Sequence, residues 1–591
     1  MPQKWYVNEE KAWFKKWWPE DMPKNVEFEE ITMGEFFERA RNKYNSLNHM
    51  WFLETWWTYE ETGQAVDRVA TALDNLGVKK GDVIAFLMPN SPQYIICYYA
   101  CLKLGIIPTG INPTYKSLEI LHFMEIINPK ALICLEMLYD LKVKSIIDKI
   151  HIEFIVTTEI TDLVKGNLNF KDFITNKIQN IQKPKIDFQP SYRFYSLFTK
   201  EPNLPKVNID SINDPAGYFM TGGTTGLPKA CVLTHYNMTS VLKQIALKRG
   251  KKVLTGIASI GINPMFHVSG LINCVTSPVN YGGYVIIFAK APSIEDLLKT
   301  MDRLPTPEGV AMGIAEIMYK RIADFPDVDK YKNALQKFRL NTCGAGPLHK
   351  PIRDKYEAVT GGRLVDGYGL TESTGMVSTG NFWSDYPIGT IGLPGPGVDW
   401  AIFDPDDFEK GPIADGLPGS KYGKENSGEL CACGPQMFKE YLNQPEETAD
   451  TLKEWDGRIW LRTGDIGYMN EDGTVTLHDR KKQLIKVAGH SVFPTEVETM
   501  LMRHECVSDA AVAGLPDPEG KVGEIAKAWV QLKSECKGKI TEDVLNAWMN
   551  ENYTYWKCPK LIEFIEQIPK NMIGKVQRRQ LQESDPLWKK G

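Results

Sequence analysis

Apolar positions along this chain fall into two rhythms. Gly81 to Met88 (GDVIAFLM) is a short, nearly unbroken apolar run, as expected of a strand buried on both faces. Ser91 to Leu104 follows with the character of a helix, Ser91 standing as its N-cap and Gly105 as its C-cap. Ile106 to Ile111 reads as a second strand, Ser117 to Asn128 as a second helix and Ala131 to Leu135 as a third strand. Strands alternating with helices imply parallel βα units in a sheet covered on both faces, so the chain is α/β.

Elsewhere the pattern weakens. Residues 160 to 213 are polar and punctuated by proline, which predicts a long excursion between core strands. Residues 404 to 426, rich in Gly, Pro, Asp and Lys, predict a surface loop. Beyond Arg480 the segments become short and alternating, at Ile485 to Val492 and Ala526 to Leu532, with helices between them. These breaks predict a large N-terminal domain with parallel sheets over residues 1–480 and a small α+β domain over residues 481–591.

Composition narrows the class. Hydrophobic residues make up 43% and charged residues 24% of 591 positions, an ordinary globular balance. A net charge of −5 argues against a dedicated nucleic-acid binder, although basic residues cluster at Arg480 to Lys486 and Lys570 to Arg579. The closest cysteine pairs, Cys97/Cys101 and Cys431/Cys433, lack zinc-site spacing, so most of the eleven cysteines are expected as buried, reduced thiols. Met1 to Pro19 carries no apolar leader, and the most apolar stretch, Tyr94 to Ile107, is too short to span a bilayer; a cytoplasmic location is the expectation. Trp5, Trp13, Trp17 and Trp18 lie among lysines near the N-terminus. That mixture suits weak contact with a membrane surface, but packing on the protein's own domain is the preferred reading.

The most informative segment is Met220 to Ala230 (MTGGTTGLPKA). Gly222, Gly223 and Gly226 let successive N–H groups turn into one concavity; Thr221, Thr224 and Thr225 add hydroxyls, and Lys229 adds a positive charge. Such a loop can hold a polyphosphate, although a plain hairpin could also look like this. The Walker pattern GxxxxGK[ST] is absent.

This string resembles the signature loop of the adenylate-forming superfamily, with Gly222 where serine is frequent and Ala230 where glycine is frequent. Later segments follow in that superfamily's order: Pro264 to Gly270 (PMFHVSG), Gly344 to Leu348 (GAGPL), Asp366 to Glu372 (DGYGLTE), Trp460 to Tyr468 (WLRTGDIGY), the HDRKKQLIKVAGH stretch, and Pro569 to Arg579 (PKNMIGKVQRR). The resemblance covers roughly residues 30 to 580. It implies an acyl-CoA synthetase that joins a carboxylic acid to ATP as acyl-AMP and then passes the acyl group to coenzyme A.

The same resemblance assigns roles. His267, Gly344 and Gly369 would border the acyl pocket. Gly344, Ala345, Gly346, Asp366, Gly367, Tyr368 and Gly369 would surround the adenine, with Tyr368 against the base. Thr371 would meet the α-phosphate, and Glu372, with the Thr224 hydroxyl, would hold Mg²⁺. Asp465 would bind the ribose hydroxyls, Arg480 the ribose–phosphate region and Gly489 the passing pantetheine arm. Lys482 matches a hinge about which the small domain rotates, and Lys575 the lysine that enters the site from that domain. Glycine at 369, where acetate-using relatives carry tryptophan, suggests depth for a longer acid, and Trp18 to Val26 resembles the leader of medium- to long-chain fatty-acid–CoA ligases. An aryl-CoA or short hydroxyacid-CoA ligase is the main alternative. A non-catalytic acyl or nucleotide sensor is the alternative from another class, disfavoured because Lys575 and Glu372 are retained. The oligomeric state is left open, a homo-oligomer included.

Overall fold

The computed structural model describes residues 5–166, 168–179, 184–198, 201–221, 229–250, 255–344, 346–480, 483, 485–487, 490–518, 524–553, 555–571 and 574–588. The βα units expected after residue 80 are present. Strands Val83–Leu87, Ile107–Gly110 and Ala131–Leu135 are parallel neighbours, with Val83–Leu87 in the middle. Helix Pro92–Leu104 lies between the first two; the Ser91 hydroxyl accepts from the Tyr94 amide, and Gly105 closes the helix with φ 67°. The left-handed conformation at Gly105 is one that a side chain would disfavour.

The 160–213 stretch is more ordered than its polarity predicts. It contributes helix Phe170–Gln179 and strand Ser191–Arg193, which extends the parallel sheet beyond Phe154–Thr158. Arg193, buried in this sheet, pairs with Glu136, so a charge sits where the apolar signal was missing. The 404–426 segment likewise carries a short strand, Pro412–Ala414, paired with Asp399–Phe403.

A nine-stranded sheet forms the second layer. Its centre is parallel and runs from Asn48–Phe52 through Tyr284–Ile287, Ala258–Gly261, Val310–Ile314 and Phe338–Cys343 to Arg363–Tyr368. Antiparallel strands close it: Thr55–Thr58 at one edge, Ser378–Thr379 and Leu393–Pro394 at the other. An antiparallel sheet built on Asp399–Phe403, Gly428–Cys433 and Arg458–Met469 packs into the same core. After residue 485 the chain builds separate cores around Val507–Pro516, Glu524–Leu532 and Leu561–Phe564.

Cys506 and Cys536 are joined in a disulfide, a pairing that the scattered spacing could not reveal. The other nine cysteines are free and buried, as expected. Among the described residues no helix is long and apolar enough to cross a membrane.

The tryptophan-rich arm packs against the antiparallel sheet. Trp13 is fully buried and meets Trp400 edge-on, with centroids 5.9 Å apart. Its ring is received by Gly416 and Gly473, where an added Cβ would come within 2.6 and 3.0 Å of Trp13 ring atoms. The Ala12 amide donates to the Gly416 carbonyl (2.8 Å), and the Trp17 indole donates to Asp472 (2.6 Å). Replacing Trp13 with alanine removes a large buried ring and leaves a cavity, so the unfolding free energy of the large domain should fall by about 3–5 kcal/mol. Chemical denaturation followed by tryptophan fluorescence and circular dichroism measures this loss.

Candidate active site

Four adjacent parallel strands end at one edge of the nine-stranded sheet: Ala258–Gly261, Val310–Ile314, Phe338–Cys343 and Arg363–Tyr368. Crossover helices return the chain each time, so the segments leaving the strands' C-terminal ends gather on the same side. His267 follows the first, Gly344 the third, and Tyr368 to Glu372 the fourth.

His267 caps a short turn, its Nδ1 accepting from the Ser269 amide at 3.2 Å. Burial first, and the nearby charge of Lys575 second, press its pKa down to about 4, so its imidazole is neutral at ordinary pH. The neighbour of Lys575, Gly574, packs against Ala315 at the end of strand Val310–Ile314, which brings Lys575 to the large domain's strand ends. Lys575 is presented by a tight hairpin in which its amide donates to Asn571 Oδ1 (2.8 Å) and the Asn571 amide donates back to its carbonyl (2.9 Å). Gly574 lets that hairpin dock: its φ is +82°, and a Cβ there would lie 2.8 Å from Ala315 Cβ.

Tyr368, at the end of its strand, donates its hydroxyl to Asp465 Oδ2 at 2.5 Å. Asp465 lies directly across a strand pair from Arg480, so antiparallel register alone places these two positions opposite each other. Thr371 is buried in a short 3₁₀ turn, and the Glu372 backbone carbonyl accepts from the Phe438 amide at 2.7 Å. The Glu372 carboxylate accepts from the Tyr441 hydroxyl at 2.6 Å.

Thr221 and Lys229 face each other across a hairpin, the last and first residues of strands Pro215–Thr221 and Lys229–Thr234. The residues expected to cradle phosphate between them, Gly222, Gly223, Thr224, Thr225 and Gly226, lie outside the described residues, as do Ala345, Lys482 and Gly489. Lys229 pairs with Glu447, and its ammonium stands 5.0 Å from the centre of the Tyr441 ring.

Three expected residues are engaged within the fold. The Asp366 carboxyl accepts from the Tyr386 hydroxyl (2.7 Å), and burial raises its pKa to about 6. Gly367 backs onto Thr342, whose Cγ2 would lie 2.5 Å from an added Cβ. At Gly369 an added Cβ would meet the Gly375 carbonyl oxygen at 2.4 Å. Close backbone packing therefore accounts for a glycine at this position. Gly346 has open space around its Cα.

Sequence reading passed over Tyr441 and Glu447. Tyr441 sits in a two-residue strand, Glu440–Tyr441, too short for any periodicity, and only its pairing with Lys229–Thr234 brings it to the site. Among the described residues no group of three or more His, Cys, Asp and Glu side chains converges as a metal cage. A lone carboxylate such as Glu372 fits a hard cation that completes its shell with phosphate oxygens and water.

A profile of the AMP-binding enzymes matches residues 36–442, and a profile of the AMP-binding enzyme C-terminal domain matches residues 496–575. The chain belongs to the AMP-binding enzyme family. Within this family, it is 32% identical to a long-chain-fatty-acid–CoA ligase of Bacillus subtilis, over 98% of this chain and 99% of that protein. A long-chain-fatty-acid–CoA ligase of Salmonella typhimurium is 29% identical over 97% and 98% of the two chains. The fold is shared with ATP-bound MatB from Rhodopseudomonas palustris, at 23% identity and a TM-score of 0.76, covering 94% of this chain and 99% of that one.

The influence of the Lys575 charge on His267 makes a measurable prediction. In Lys575→Ala the positive charge is lost while burial remains, so the His267 pKa should rise from about 4 without reaching the usual histidine value. Titration of isotope-labelled histidine by NMR reads this shift.

Proposed function

We propose that this chain is an ATP-dependent, AMP-forming acyl-CoA synthetase acting on a medium- to long-chain fatty acid, with the residues gathered at the strand ends as its machinery. The observation that carries the reading is the packing of Gly574, the neighbour of Lys575 in the small C-terminal unit, against Ala315 at the strand ends from which His267 and Tyr368 to Glu372 also depart. The near-full-length likeness to long-chain-fatty-acid–CoA ligases supports the substrate class.

In this reading the carboxylate attacks the α-phosphate of ATP, the bond to pyrophosphate breaks, and acyl-AMP forms. Catalysis of this kind rests on positioning and charge neutralisation. Tyr368 stacks on adenine, and Asp465 takes the ribose hydroxyls in place of the tyrosine hydroxyl it now holds. Thr371 contacts the α-phosphate, while Lys229 and the 221–229 loop hold the polyphosphate. Lys575 meets the negative charge developing between carboxylate and phosphate. Mg²⁺, held at Glu372, would neutralise phosphate charge. His267, neutral and buried, lines the acyl pocket and has no proton to remove, because the acid arrives ionised.

A rotation near Lys482 then withdraws Lys575 and brings Lys486 to Ser491 to the site, with Gly489 beside the pantetheine arm. The CoA thiol attacks the acyl carbonyl and AMP leaves.

Pyrophosphate release with acids from acetate to palmitate, benzoate and cinnamate tests this reading. CoA-dependent turnover should peak at a medium or long alkyl chain. A peak at benzoate or cinnamate would replace the fatty acid with an aryl acid, and no turnover with any acid would overturn the enzyme reading. Lys575→Ala should slow adenylation on the order of 10²–10³-fold, yet leave thioester formation from supplied acyl-AMP largely intact. Equal loss of both half-reactions would sink the alternation between two orientations.

A further inference from the structure

One side chain outside the assigned set touches two of its members. Tyr441 is buried, at 6% exposure, and its hydroxyl donates to Glu372 Oε1 at 2.6 Å. The ammonium of Lys229 stands over the same ring at 5.0 Å, within the range of a cation–π contact. Lys229 is also paired with Glu447, in the first turn of helix Pro445–Thr451. The backbone fixes this arrangement: Tyr441 lies opposite Cys231 in the strand that starts at Lys229, and its own amide donates to Thr448 Oγ1 at 2.9 Å.

The hydrogen bond occupies one carboxylate oxygen. Among the described residues none donates to Glu372 Oε2. A donor that fixes a ligating carboxylate restricts its rotation and selects which oxygen meets the cation.

We propose that Tyr441 is a positioning residue that aims the Glu372 carboxylate at the nucleotide-bound divalent cation and seats Lys229 beside it. The inference rests on the reading of Glu372 as the metal carboxylate given above. It adds that the metal oxygen and the phosphate-loop lysine are set by one aromatic ring, so cation affinity depends on a hydroxyl that touches neither metal nor nucleotide.

The test compares wild type, Tyr441→Phe and Glu372→Gln by electron paramagnetic resonance of Mn²⁺ in the presence of a non-hydrolysable ATP analogue. Tyr441→Phe keeps the ring packed on Phe438, with centroids 4.7 Å apart, and so leaves the fold standing; the thermal midpoint checks this. Tyr441→Phe should weaken Mn²⁺ binding about 10-fold, the usual scale for losing a partner of a metal ligand. In turnover, the Mg²⁺ concentration for half-maximal rate should rise in proportion, with kcat at saturating Mg²⁺ changed far less. Glu372→Gln should weaken Mn²⁺ binding at least as much. Wild-type Mn²⁺ affinity in Tyr441→Phe, beside a loss in Glu372→Gln, overturns the positioning role alone. Wild-type affinity in both variants overturns the metal role of Glu372 and this inference with it.

Discussion

A parallel sheet constrains where everything else can go. Its strands cannot be joined by tight turns, so each must be followed by a crossover, and all their C-terminal ends face the same way. Here that rule delivers Pro264 to Gly270, Gly344 and Tyr368 to Glu372 to one edge, although they are far apart in sequence. The remaining pieces arrive by antiparallel pairing. Lys229–Thr234 holds Pro215–Thr221 on one side and Glu440–Tyr441 on the other, and Arg458–Met469 sets Asp465 opposite Arg480. The site is thus a product of register, with the side chains added last.

The parts legible in the sequence are those whose physics is local. Val83–Leu87 and Ala131–Leu135 are buried along their whole length, so an unbroken apolar run was enough to find them. Ser91 and Gly105 mark helix ends by side-chain hydrogen bonding and by positive φ, both properties of single residues. Tyr368, Glu372 and Asp465 could be named as candidates because their short motifs are ordered along the chain.

What escaped the sequence is what depends on distant partners. Asn48–Phe52 joins Tyr284–Ile287 across more than two hundred residues, and no window along the chain contains both. Ser191–Arg193 looked like loop because Arg193 is a charge, and only Glu136 makes its burial tolerable. The packing of Gly369 against the Gly375 carbonyl is likewise a contact that appears only once the chain has folded back. Tyr441 needed three elements in place before its hydroxyl could be seen to reach Glu372.

The seating of Trp13 between Gly416 and Gly473 bears on how the family's boundaries should be drawn for this chain. The conserved profile begins at residue 36, yet the fold's own boundary lies earlier, because the arm before it closes the face around Trp400. A fragment cut to the profile would bare that apolar face to solvent and offer it to other copies. Poor solubility in such a fragment would then report a missing wall of the core, and would say nothing against the soundness of the adenylate-forming scaffold behind it.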